Sequence, residues 1–424
     1  MIIIICKFFI FNFLLITIFF SNALAGIAHT NAIELLTEYS GKDATKYQQY
    51  FQYSEKAKIV NIELHASGTK AMTARYTDEP LPYDWVNNIL KIETADDFLG
   101  MSGVATYSVK GFNDFHFQEM KTVTKLLKNL KTLDPVEVRA ALMEKRPDLS
   151  DEALSAIDIA LWDLAARKAG LPLHRMLGSK RNEIKAYASI PFYETIPEHL
   201  AAVDKYMKLG FKTFKFHIWG RIEEDAKLVK SVNDKFANTE YRFMLDIENA
   251  YDYDGAIQLG NMLDKKLFIW LEAPINDKLF DQYRDLKNAL TMSLIPTGYQ
   301  FYSADFIRHG IKNNAWDAGR FDVTVVGGYS QALELMIIAN DAKLPIEVQS
   351  WGPTLSQAAN LHLILANERT TFFEAPTPKE AFEFGMSNGD MLNEGKIIAP
   401  KGSGLGIKVD WDKLSTADFY RSSN

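Results

Sequence analysis

Several polar residues stand directly after short apolar runs. Lys215 and His217 belong to Phe214-Lys215-Phe216-His217, Asp246 closes Phe243-Met244-Leu245, and Glu272 closes Phe268-Ile269-Trp270-Leu271. Gln349 follows Ile346-Glu347-Val348, Glu374 follows Phe372-Phe373, Glu248 lies just past Asp246, and Asp322 borders Val323-Thr324-Val325-Val326. The set holds an imidazole that titrates near neutral pH, an ammonium group that can hold an anion, and carboxylates able to carry protons or bind hard cations. One polar residue after a strand means little, because loops are polar anyway. Repetition changes that. Positions 217, 246, 272, 299, 322, 349 and 374 are 29, 26, 27, 23, 27 and 25 residues apart, near the length of one strand-plus-helix unit.

The elements that must position these residues follow the same period. Eight strand-type runs fall at 187–190, 214–217, 243–246, 268–272, 294–297, 323–326, 346–349 and 372–374, each followed by a helical stretch. Buried strands alternating with helices predict a parallel sheet with helical crossovers. Eight of them predict a closed (β/α) barrel, with an open doubly wound sheet as the alternative. In a barrel the carboxyl ends of all strands open on one face, so residues far apart in sequence meet there. Before the barrel, alternating runs at 59–64 and 85–94 and a Lys-rich helical segment at 117–133 predict a small α+β unit. An amphipathic helix is expected at 150–169, with Asp151 and Glu152 in its first turn and Gly170 and Pro172 beyond its end. Residues 26–56 carry no readable fold.

Composition bounds the rest. The 424 residues are 47% hydrophobic and 24% charged, which excludes a disordered chain, and a net charge of −7 argues against a nucleic-acid partner. The single cysteine, Cys6, excludes a disulfide framework and a cysteine-based zinc site. Residues 1–25 pair Lys7 with an apolar stretch and end in Ala23-Leu24-Ala25, the pattern of a signal peptide cleaved after Ala25. Cleavage predicts an exported or periplasmic protein. An uncleaved anchor, or a start placed upstream of a cytoplasmic enzyme, are the other readings. No second stretch reaches transmembrane length, so no membrane contact is expected beyond the leader.

Ser155-Ala156-Ile157-Asp158-Ile159-Ala160-Leu161-Trp162-Asp163-Leu164, Gly170-Leu171-Pro172-Leu173, Trp270-Leu271-Glu272-Ala273-Pro274 and Pro400-Lys401-Gly402-Ser403-Gly404-Leu405-Gly406 occur in an order that resembles the mandelate racemase/muconate lactonizing group of the enolase superfamily. The likeness runs from about residue 57 to 414. It implies an α/β fold: a modified TIM barrel, (β/α)7β, under an N-terminal α+β capping domain. The corresponding segments are a leader at 1–25, an extension at 26–56, the cap at 57–150, the barrel at 151–385, and a tail at 386–424 that completes the cap. The implied chemistry is removal of a proton α to a carboxylate, with Mg²⁺ stabilising the enediolate. A small-molecule carboxylate substrate and a homo-oligomer are also implied.

By this resemblance Lys215 holds the substrate carboxylate and His217, where the group usually has lysine, is the proton-abstracting base. Lys215 is expected to keep His217 neutral. Asp246 and Glu272 fall at the first two Mg²⁺ ligand positions, and Glu248 is expected to face metal or substrate. The third ligand position holds Tyr299, a poor ligand, so binding of Mg²⁺ is expected to be weakened. Asp322 matches the acid of a His–Asp dyad, but Gln349 replaces its histidine, and glutamine cannot exchange protons. Glu374 matches an acid that hydrogen-bonds the enediolate, for which it must be protonated. Gly100-Met101-Ser102-Gly103 departs from the motif that shapes the substrate pocket. One base therefore favours dehydration of a hydroxy acid or acid sugar, with Asp322 and Glu374 assisting and Glu248, Gln349 and Tyr299 binding substrate. A racemase or epimerase, or a non-catalytic carboxylate-binding protein, are the alternatives.

Overall fold

The computed structural model describes residues 28–70, 84–112, 115–298, 304–383, 386–389, 391–412, 414 and 418–422. The leader and Tyr299 lie outside the described residues. Among those described, no helix is long and apolar enough to cross a membrane.

The cap is an antiparallel sheet of β1 (Ile59–Lys70), β2 (Asp84–Thr94) and β3 (Leu99–Phe112), joined across β1 by a strand from the tail, Asp418–Ser422. Period-2 alternation sends Ile62, Leu64, Val86, Leu90 and Val104 to one face, where they meet Phe117, Met120 and Val123 of the helix Phe115–Lys128.

The helix Asp151–Lys168 starts at Ser150, whose hydroxyl accepts from Ala153 N, and carries Arg167 and Lys168 in its last turn. The helix expected at 150–169 is present, but it has no polar face turned to solvent along its middle. Residues 153–166 are buried all round, because Leu154, Ile157 and Leu161 enter the cap core while Ile159, Trp162 and Ala166 enter the barrel core. Its Asp163 accepts from Met101 N of β3 and from Leu405 N of the tail, tying three segments together. A Cβ at Gly404 would lie 2.0 Å from Asp163 Oδ1, so only glycine fits there. The glycine-rich 402–406 stretch is thus a docking turn.

The barrel strands are β4 (Glu183–Ile190), β5 (Thr213–His217), β6 (Arg242–Asp246), β7 (Phe268–Glu272), β8 (Ser293–Ile295) and β9 (Phe373–Pro376). They pair in parallel in the order β4-β5-β6-β7-β8, and β9 pairs β4 from the other side. The arc between β8 and β9 is looser. Asp317 N donates to Leu294 O, Gly319 N to Pro345 O and Gln349 N to Phe321 O, while Ser350 Oγ joins the backbone of Glu374. The sixth strand position is therefore at 317–321, and the expected run at 323–326 is a turn. Outward residues Phe214, Phe216, Phe243, Leu245, Phe268 and Leu271 pack under the surrounding helices, and inward Tyr187, Met244, Trp270 and Ile295 form an apolar plug.

Residues 28–56, which carry no fold readable from sequence, pack on the barrel. The helix Ala32–Ser40 is capped by Asn31, contacts the helix Gly328–Asp341, and buries Ala32, Leu35 and Leu36 in the barrel core. Ala32 N also donates to Asp134, the N-cap of the helix Pro135–Lys145.

Candidate active site

Register brings the site together. His217 on β5 is level with Asp246 on β6, which is level with Glu272 on β7. On β9 Glu374 is level with Tyr187 of β4. Alternation points Lys215, Asp246, Glu272, Glu374 and Ser189 inward, with Ser189, Asp246 and Glu272 one inward step beyond Tyr187, Met244 and Trp270 on their own strands. The result is a polar layer resting on an apolar one.

Lys215 is the centre of that layer and is 1% exposed. Its Nζ donates to Asp246 Oδ2 at 2.8 Å and to both Glu272 oxygens at 3.2 Å, and lies 2.8 Å from Glu374 Oε1. Burial alone would favour the neutral amine, but the charges of Asp246, Glu272 and Glu374 reverse this and hold it charged. Ser189 Oγ donates to Glu374 Oε1 at 2.8 Å.

A second buried cation, which sequence reasoning missed, completes the network. Arg320 is 1% exposed; its Nη2 donates to Glu374 Oε2 at 2.6 Å and to the Tyr187 hydroxyl at 3.2 Å, and its Nε lies 3.0 Å from Glu272 Oε1. The signal that could have found it is the apolar pair Phe321 and Val323 around a strand that ends one turn earlier than expected, which makes Arg320 an inward residue.

His217 is 5% exposed at the mouth of this layer. Its Nδ1 is 2.7 Å from Ile190 O, so Nδ1 carries the hydrogen, and Nε2 lies 3.4 Å from Asp246 Oδ2. Burial works to lower its pKa, yet the hydrogen bond and charge of Asp246 outweigh burial and Lys215 together and raise it. The expectation that Lys215 keeps it neutral is thus corrected: the carboxylate is the closer influence. Burial would likewise raise Asp246, but Lys215 and His217 hold it well below the usual range.

Glu374 differs from expectation in the same way. Lys215 and Arg320 overcome its burial and keep it ionised, so it accepts hydrogen bonds and has no proton to donate. Asp322, pushed up to about 6 by burial, sits apart from the network. Its Oδ1 accepts from Thr324 N, Thr324 Oγ1 and Asn360 Nδ2. Gln349 has a buried amide oxygen with no partner among the described residues. Glu248 is exposed, and its backbone holds a φ of 52°, a strained value for a residue with a side chain. Gly100, Met101, Ser102 and Gly103 pack on neighbouring helices: a Cβ at Gly100 would lie 2.1 Å from Ala160 O, and Ser356 Oγ donates to Gly103 O.

Two donor sets bear on a metal. For Asp246 with Glu272 the fit is poor, since Oε1 of Glu272 faces Lys215 and Arg320, while Oε2 faces Lys215 and the Trp270 indole at 3.3 Å. A divalent ion at these oxygens would be repelled by the two buried cations that already flank them. At the mouth, donor atoms of His217, Asp246 and Glu248 lie within 4.8 Å of one another.

The family model described as "Enolase C-terminal domain-like" matches residues 198–413, and that of the "Mandelate racemase / muconate lactonizing enzyme, N-terminal domain" matches 86–178. Arabinonate dehydratase of Saccharolobus solfataricus is 26% identical over 75% of this chain and 87% of its own length. D-Ala-D/L-Ala epimerase of Cytophaga hutchinsonii is 25% identical over 84% and 97%. A solved chain from Pseudovibrio sp., assigned to the mandelate racemase/muconate lactonizing group, superposes with a TM-score of 0.81 at 30% identity, covering 87% of this chain and all of that one. L-talarate/galactarate dehydratase, solved with Mg and L-glucarate, superposes at 0.78 with 21% identity over 87% and 94%.

Proposed function

From the premise that this chain belongs to the mandelate racemase/muconate lactonizing enzyme group of the enolase superfamily, we propose that it removes the proton α to the carboxylate of a small hydroxy acid or acid sugar and expels the β-hydroxyl as water. The observation that carries this reading is His217. Its ring is pinned through Nδ1 to Ile190 O, which leaves Nε2 as the proton-exchanging atom at the mouth of the barrel.

The substrate carboxylate enters above Lys215 and takes the place of one of its three carboxylate partners. Nε2 of His217 accepts the α-proton, the electron pair forms the Cα–Cβ double bond, and the C–O bond at Cβ breaks. The imidazolium returns the proton to the departing hydroxyl, so water leaves, and the enol product then loses its Cα hydroxyl proton and gains one at Cβ to become a 2-oxo acid. Gln349, with its unpaired amide oxygen, is an acceptor for a substrate hydroxyl, and exposed Glu248 lines the entrance. No step is routed through a metal ion, because Glu272 does not fit as its ligand.

Dehydration is preferred to racemisation because a two-base reaction needs a proton carrier on each face of Cα. Asp322 is taken up by Thr324 and Asn360, and Gln349 cannot carry a proton. The dehydratases among the relatives support this reading; the epimerase of Cytophaga hutchinsonii keeps one-base epimerisation as the second. The test is solvent deuterium exchange at the α-carbon across a panel of sugar acids, with 2-oxo acid formation followed in parallel. Exchange that His217→Ala abolishes is expected. Exchange that survives the substitution rejects the base, and exchange without 2-oxo acid selects the epimerase.

A further inference from the structure

We propose that Arg320 has taken the place of a divalent cation in this barrel, so that Glu272 at the end of β7 is an ion-pair partner and not a metal ligand. The inference rests on the reading of the barrel mouth as a carboxylate-transforming site, but its evidence and its test need no substrate.

Three observations converge. Both oxygens of Glu272 lie against groups of the protein: Lys215 donates to each at 3.2 Å, Trp270 donates to Oε2 at 3.3 Å, and the guanidinium of Arg320 forms an ion pair with Oε1 at 3.0 Å. A metal ligand must present its oxygen to the ion, and here each oxygen is turned to the ammonium of Lys215, with the guanidinium of Arg320 also against Oε1, so a divalent ion would meet two fixed positive charges. The guanidinium is also immobilised. Nη2 binds Glu374 and Tyr187, and Nη1 lies 3.4 Å from Glu347 O, so Arg320 cannot swing aside without leaving Glu374 short of a partner inside the protein. Finally, its stem fills the barrel wall beside the third acidic position of the family pattern. A Cβ on Gly298 would lie 2.4 Å from Arg320 Cγ, and the next residue, Tyr299, supplies no carboxylate. The chain thus lacks the third acid and inserts a permanent cation against the second in the same place.

The wild-type chain, freed of metal with EDTA, is titrated with Mg²⁺ and with Mn²⁺ while thermal unfolding and heat of binding are followed. The same is done for Glu272→Gln, Glu248→Gln and Arg320→Gln. Expected is either no saturable binding to wild type, or binding that Glu272→Gln leaves intact and Glu248→Gln removes, which places the ion at the mouth. Arg320→Gln, with Glu272 released, is expected to acquire a saturable rise in melting temperature that the double variant with Glu272→Gln lacks. Wild-type binding lost in Glu272→Gln overturns the proposal, as does a folded Arg320→Gln that gains no metal response. Should Arg320→Gln not fold, the comparison of wild type with the two glutamate variants decides alone. Failure here leaves the His217 exchange experiment untouched, and failure there leaves the metal titration valid.

Discussion

At the scale of single residues, the behaviour of His217 is set by Asp246. Because that carboxylate raises the imidazole above its ordinary 6.5, the neutral form that accepts a proton is populated only above the raised value. The exchange rate is therefore expected to fall as pH drops, with a midpoint above about 6.5, and Asp246→Asn should move the midpoint down. A pH–rate profile of α-proton exchange checks this; a midpoint that Asp246→Asn leaves in place refutes it. The buried network predicts stability as well as chemistry. Glu374→Gln removes the one charge that both Lys215 and Arg320 share with Ser189, and should cost about 3–5 kcal/mol in urea unfolding, as uncompensated buried charges do. A loss under about 0.5 kcal/mol, the size of a surface substitution, would mean that the layer tolerates an open position.

At the scale of elements, the strand ends were legible because short apolar runs capped by one polar residue leave a clear period. The sixth was not. Its segment, Gly319-Arg320-Phe321, contains a charge, and the more apolar run beyond it at 323–326 is a turn. That displacement hid Arg320, whose inward direction depends on where the strand lies. The helix Asp151–Lys168 was legible as a helix but not as a buried one, since its polar positions Asp158 and Asp163 accept hydrogen bonds from partners more than 60 residues away. The helix Ala32–Ser40 gave even less, because its apolar side matches a surface about 300 residues further on. It behaves as barrel core all the same. Leu36→Ala is expected to cost about 2–5 kcal/mol, read from denaturant unfolding, as for other buried leucines. A loss below about 1 kcal/mol would mark the helix as peripheral.

For the whole molecule, burial of ionisable groups shapes the pH dependence of stability. Burial pushes Asp158 and Asp277 up to about 7, and Asp134 and Glu347 to about 6, whereas unfolded carboxyls titrate near about 4. Groups raised in this way contribute stability that is complete below the unfolded value and lost as pH rises through the folded one. Burial acts the other way on His174 and His199, lowered to about 4, and His362, lowered to about 3. Their contribution is present above about 6.5 and lost as pH falls toward those values. The four carboxyls withdraw stability between about pH 4 and 7 while the histidine contribution is already present above about 6.5, so the melting temperature should not rise between pH 6.5 and pH 8. Calorimetry across that range checks it, and a melting temperature that climbs steadily to pH 8 would contradict it.

By itself the sequence determined the repeating strand–helix period, and with it the strand ends that carry Lys215, His217, Asp246, Glu272 and Glu374, because alternation and spacing are local properties that one chain records in order. Only the tertiary structure decided what those residues do to one another. Whether Glu272 meets a cation of the protein or one from solution, and whether His217 feels Lys215 or Asp246 more strongly, depends on distances of a few ångströms between strands. Electrostatic interactions in a buried layer are governed by those distances and by the exclusion of water, and neither is written in any stretch of neighbouring residues.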